Sequence, residues 1–161
     1  MDIAVRQLEE SGLDGVSVAG IARELGIAHN AIRWYFPTRD ELVVAAMRVL
    51  LQRVIAKKPP PSQGPRQKVV WFAEQLHRYA SLRSALYERA RSSTVVATFM
   101  EEFQELLRGM VAIWLTGDRS RRSIKIEAFL ASLDGAVLIA DPRERAAVVR
   151  CAYDAFSERQ S

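Results

Sequence analysis

The chain has 161 residues, of which 49% are hydrophobic and 26% charged, a balance that supports a buried core and excludes an intrinsically disordered chain. Its formal charge of +4 suits a polyanionic partner without requiring one. A single cysteine, Cys151, excludes an intramolecular disulfide framework; His29 and His77 add no zinc-ligand spacing, and no apolar run approaches the roughly 18 residues of a membrane span, so a cytoplasmic protein with no metal, cofactor or membrane partner is expected.

Val18, Ile21, Ala22 and Leu25 fall at i, i+3, i+4 and i+7, which predicts one buried face of a short helix with Ser17 as its N-cap. Gly26 ends that helix. A second periodic set, Ala28, Ile32 and Phe36, begins after Ile27, so two short helices joined by a tight glycine turn are expected, as in a helix-turn-helix. Pro37 stops the second. Thr38 and Glu41 then form the T-x-x-E pattern of a capping box, opening a helix with Leu42, Ala46, Val49, Leu50 and Val54 on one face, which should run to about Lys57.

The segment KKPPPSQGPRQK, residues 57–68, cannot continue a helix through its three consecutive prolines and glycine. It separates about four helices from about five. Beyond it, apolar periodicity predicts helices over 66–80, 83–92, 94–116, 120–140 and 143–158, the last with Asp141 and Pro142 as its start signal. No stretch alternates as a strand and no long repeat occurs, so the class is all-α.

The stretch SVAGIARELGIAHNAIRWYFPTRDEL, residues 17–42, resembles the DNA-binding signature of the TetR family: a hydroxyl residue opening helix two, I-A in its middle, G-I at the turn, and aromatics with Phe closing helix three. A hydroxyl, a basic residue and a Leu then follow. The likeness covers roughly residues 2–50, and ASLDGAVL, residues 131–138, is similar to a motif of the family's dimerisation helix. The resemblance implies a helix-turn-helix domain at 1–47, a long connecting helix, and a C-terminal effector-binding and dimerisation domain at 48–161. Residue by residue, it implies that Ser17 contacts phosphate, that His29, Asn30 and Arg33 face the major groove, and that Trp34 and Arg39 touch the DNA backbone. Arg33 stands where the family usually carries tyrosine. The resemblance further implies a homodimer through residues 120–158, and a repressor released from a palindromic DNA operator when a small molecule shifts the fourth helix.

The residues support this in outline. His29, Asn30 and Arg33 lie off the Ala28, Ile32 and Phe36 face, and Arg33 suits bidentate pairing with guanine, Asn30 with adenine. A short recognition helix reads few base pairs, so two copies about 34–36 Å apart in successive grooves give economical specificity. For dimerisation, Ala128, Ala131, Ser132 and Gly135 permit close helix approach, and Leu138, Val148, Val149, Ala152, Tyr153 and Phe156 supply apolar contact. Against the DNA reading, residues 1–47 hold four Lys or Arg against seven Asp or Glu, whereas residues 48–91 hold ten against two.

Trp71, Phe72, His77, Tyr87, Met100, Phe103 and Trp114 are candidates to bind a small, mainly apolar effector, because rigid rings and adaptable thioethers suit such a pocket. Plain core packing is the competing reading. No G-x-S-x-G, P-loop or H-E-x-x-H motif occurs, so no enzyme is expected. The alternatives are an architectural DNA-binding protein without an effector, or a small hydrolase using His77 with Glu74.

Overall fold

A computed structural model of the chain describes residues 1–117 and 123–157, and among these all regular structure is helical. In chain order the described helices are α1 (Asp2–Gly15), α2 (Val18–Leu25), α3 (His29–Tyr35), α4 (Arg39–Ala56), α5 (Pro65–His77), α6 (Ala80–Ala90), α7 (Thr94–Thr116), α8 (Ile124–Ala136) and α9 (Pro142–Phe156). They form two compact units, one of residues 1–57 with 81–101 and one of residues 58–80 with 102–161. The boundary expected between residues 47 and 48 falls inside α4, which lies wholly in the first unit.

In the first unit the helix ends are written locally. Ser17 Oγ accepts the Gly20 N–H at 3.0 Å to start α2, and Gly26, at φ 66°, takes the left-handed conformation that ends it. The expected capping box opens α4: Thr38 Oγ1 accepts the Glu41 N–H at 3.2 Å, and Glu41 Oε2 accepts the Thr38 N–H at 2.7 Å. α1 packs on α4 through Val5, Leu8 and Ala46, all fully buried, while α2 pairs with α3. The apolar face expected of α2 is only partly covered. Ile21 and Ala22 are buried, but Leu25 is 51% exposed. It stands in the last turn of an eight-residue helix, on the rim of an apolar groove with Ile27, Ile32 and Tyr35.

In the second unit α9 packs on both α8 and α5. Asp141 Oδ1 accepts the Glu144 N–H at 2.8 Å and Pro142 occupies the first turn, as expected for this start. Arg145, only 3% exposed, donates to Glu74 Oε1 at 2.9 Å and Oε2 at 2.7 Å, and also to the carbonyls of Ile139 and Ala140. A buried guanidinium is tolerated because its charge and its donors are both matched. Val149, expected on the dimer face, is instead only 1% exposed, buried where α9 packs on α8 and α5.

Two helix boundaries differ from expectation. α5 stops at His77 and α6 starts at Ala80, because the Tyr79 N–H donates to Leu76 O at 3.1 Å in a tight turn that needs neither glycine nor proline. α8 ends at Ala136, where the Leu138 N–H reaches back only to Gly135 O at 3.1 Å. Residues 120–122 and 158 of the expected helices lie outside the described residues.

Asp40 of α4 and Arg89 of α6 make an ion pair within the first unit, the single Nε–H shared between the two carboxylate oxygens at 3.0 Å and 3.1 Å. Burial alone would raise the Asp40 carboxyl, but hydrogen bonds from Arg89 and Ser93 outweigh it and hold it below its ordinary value. Asp40→Asn is therefore expected to lower the thermal midpoint by roughly 2–4 °C at neutral pH. A group whose folded-state pKa is depressed stabilises above its unfolded pKa, about 3.9, and loses that contribution as pH falls through the folded value. The gap between parent and variant should thus be constant at neutral pH and close below about pH 4; a gap that persists at pH 2 would remove the ion pair as its cause.

Candidate nucleic-acid interface

α3 buries Ile32 on its inner side and leaves His29, Asn30, Arg33 and Trp34 exposed. His29 and Arg33 are four residues apart, as are Asn30 and Trp34, so each pair lies along one strip of the helix. His29 and Arg33 also line a concavity of about 370 Å³ together with Ser17 at the start of α2 and Thr38 and Arg39 at the start of α4. Four of the six residues expected to meet DNA, Ser17, His29, Arg33 and Arg39, therefore converge on one depression. Asn30 and Trp34 project outside its lining.

Ser17 is fixed from two sides. Its N–H donates to Gln7 Oε1 at 3.0 Å and its Oγ accepts the α2 cap bond, which leaves the hydroxyl proton to donate outward. Among the described residues no carboxylate or carbonyl partners the Arg33 guanidinium. Arg39 is different: its Nε donates to Val16 O at 3.0 Å and its Nη2 to Leu13 O at 2.5 Å, with Asp14 Oδ1 at 3.4 Å. Arg6 is occupied by Glu24, at 2.6 Å.

Trp34 is 79% exposed, and its ring meets Tyr35, 71% exposed, edge to face at 5.1 Å between centroids. Tyr35 was not singled out from the sequence. Spacing hid it, since a tyrosine three residues after Ile32 falls by periodicity on the side of the buried residue, and its exposure follows from its place in the last turn of a seven-residue helix.

The residues expected to bind an effector divide between the units. Trp71, Phe72, His77, Phe103 and Trp114 belong to the second, Tyr87 and Met100 to the first. Phe72 is buried and meets Trp114 edge to face at 5.2 Å. The Tyr153 hydroxyl donates to Trp114 O at 3.2 Å. His77 Nδ1 donates to Val137 O at 2.8 Å, so in the neutral ring Nε2 is the acceptor. Glu74 is engaged by Arg145, which leaves the His77–Glu74 pair of the hydrolase alternative unformed. Tyr87 is 40% exposed, with the Arg83 guanidinium 5.9 Å from its ring centre, and Met100 is buried.

Among known proteins, a family model for bacterial regulatory proteins of the tetR family matches residues 1–46. The HTH-type transcriptional regulator PksA of Bacillus subtilis is 41% identical over 49 residues, which is 30% of this chain and 24% of that protein. The HTH-type transcriptional regulator BetI of Burkholderia thailandensis is 26% identical over 117 residues, 71% of this chain and 50% of its own length. The chain thus spans half or less of the curated relatives it matches. Two crystal structures share the fold at 22% identity. A transcriptional regulator from Rhodococcus sp. Rha1 has a TM-score of 0.73, covering 96% of this chain and 92% of that one. The multidrug binding protein EbrR complexed with proflavin has a TM-score of 0.65, covering 94% and 95%.

Proposed function

We propose that the chain, whose residues 1–46 match the model for bacterial regulatory proteins of the tetR family, is a member of that family and acts as a cytoplasmic homodimeric repressor that leaves a palindromic DNA operator when a small, mainly apolar effector binds. The observation that carries the DNA reading is the unpartnered face of α3: His29, Asn30 and Arg33 are exposed on a helix whose opposite side is anchored by Ile32. Ser17 and Trp34 flank these base readers as backbone contacts, with Arg39 at the margin of the same depression.

The homodimer is built on the outer faces of α8 and α9. Leu138 is 67% exposed and Val148 37%, with Ala131 and Gly135 exposed beside them. A Cβ added at Gly135 would meet nothing within 4 Å, and alanine would favour the helix by about 1 kcal/mol. Nothing inside the protomer therefore demands glycine there, whereas close approach of a second copy does.

For the effector, the Phe72–Trp114 ring pair with Trp71, Phe103 and the free Nε2 of His77 offers aromatic surface and one polar contact in the second unit. Tyr87 and Met100 supply the same chemistry in the first. EbrR was crystallised with proflavin, so that planar dye is the natural first probe. Trp71→Phe and Trp114→Phe are each expected to weaken proflavin binding by up to about tenfold by calorimetry. The concentration needed to release operator DNA should rise in step, since effector and DNA affinities are linked reciprocally. Release unaffected by both substitutions would remove these rings from the effector site.

A further inference from the structure

The basic residue at the start of α4 is expected to meet phosphate, yet its Nε and Nη2 donate to the backbone carbonyls of Val16 and Leu13. Resting on the DNA-reading assignment of the first unit, we propose that Arg39 is a positioning residue: its guanidinium ties the α1–α2 connection, and with it Ser17, to the first turn of α4.

The connection leaves α1 through a local distortion at Gly12, whose φ of 69° and ψ of −166° break the helical pattern. Carbonyls at a helix end carry partial negative charge, which an arginine answers, and Leu13 O accepts from Arg39 in addition to the Val16 N–H at 3.3 Å. The Nε–H of Arg39 donates to Val16 O at 3.0 Å and an Nη2–H to Leu13 O at 2.5 Å, so the planar fork ties the last turn of α1 and the first residue of the connection to α4. From the other side Gln7 Oε1 accepts the Ser17 N–H at 3.0 Å. Ser17 is thereby clamped between α1 and α4. Asp14, fully exposed, lies 3.4 Å from Nη2 and lines the same depression.

Lysine keeps the charge but presents a compact ammonium that lacks the fork. Positioning and phosphate contact therefore separate in one experiment. Operator affinity of Arg39→Lys and Arg39→Ala is measured against salt concentration, alone and combined with Ser17→Ala. Positioning predicts that both substitutions cost about tenfold, with a salt dependence equal to the parent's. Ser17→Ala should then cost several-fold in the parent and almost nothing on top of either Arg39 variant, because the two residues act through one contact. A lysine variant within twofold of the parent, together with an alanine variant whose log–log salt slope is shallower by about 0.9, would make Arg39 a phosphate contact and overturn the proposal.

A second measurement needs no DNA. Amide exchange at Ser17 and Gly20 in Arg39→Lys should accelerate at least about tenfold, while amides of α9 remain protected. Unchanged exchange at Ser17 and Gly20 would overturn the clamp even if DNA binding fell. Failure of the parent to bind any duplex selectively, with the exchange effect intact, would instead remove the DNA reading and leave the clamp standing.

Discussion

Glutamates at Ala131, Leu138 and Val148 together are expected to give a folded monomer whose operator affinity is lower by at least about hundredfold. Leu138 and Ala131 are exposed and Val148 is 37% exposed, so replacing them removes little internal packing and should leave the helices intact. In a two-fold interface built on α8 and α9 the same changes bring six carboxylates together in an apolar contact, where desolvation and like-charge repulsion add. The loss of DNA affinity follows from geometry. A tethered second recognition helix gains about 10²–10⁴ in avidity over a single one, and dissociation removes that gain. Sedimentation and circular dichroism check the first half of the prediction, fluorescence anisotropy on labelled operator the second. A variant that remains dimeric would place the interface on other helices.

Arg33→Ala is expected to weaken operator binding by about 1–3 kcal/mol while leaving binding to random duplex nearly unchanged. The guanidinium is exposed on α3, no described residue pairs with it, and it shares a helix strip with His29. A donor fork free of internal partners is available for the O6 and N7 acceptors of guanine, and truncating it leaves the base edge unread. Competition anisotropy with specific and scrambled duplexes separates the outcomes. Equal losses on both would make Arg33 a phosphate contact, as would a shallower salt dependence on random DNA.

What the sequence made legible was local. The Thr38–Glu41 capping box, the Gly26 turn and the Asp141–Pro142 start each lie within a few residues, and each forms as its chemistry requires. The residues facing outward on α3 followed from one periodicity. What escaped depends on partners far apart in the chain. Glu74, considered beside His77 because the two are neighbours in sequence, belongs to Arg145, 71 positions away. Arg39 donates to the carbonyls of Val16 and Leu13, 23 and 26 positions away, which no local pattern marks. Val149 shares its apolar character with Val148, and only the packing of α9 on α8 and α5 decides which of them faces inward. The turn at Arg78 and Tyr79 carries no glycine or proline, so the break expected between residues 80 and 83 falls about three residues earlier.

Selection of bound duplexes from a random-sequence pool tests the central claim most directly. A dimer presenting α3 twice predicts enrichment of a two-fold symmetric sequence whose half-site centres lie about 34–36 Å apart, with guanine at the position that loses its preference in Arg33→Ala. Recovery of duplexes without sequence or symmetry preference, by protein that is folded and dimeric, would contradict it.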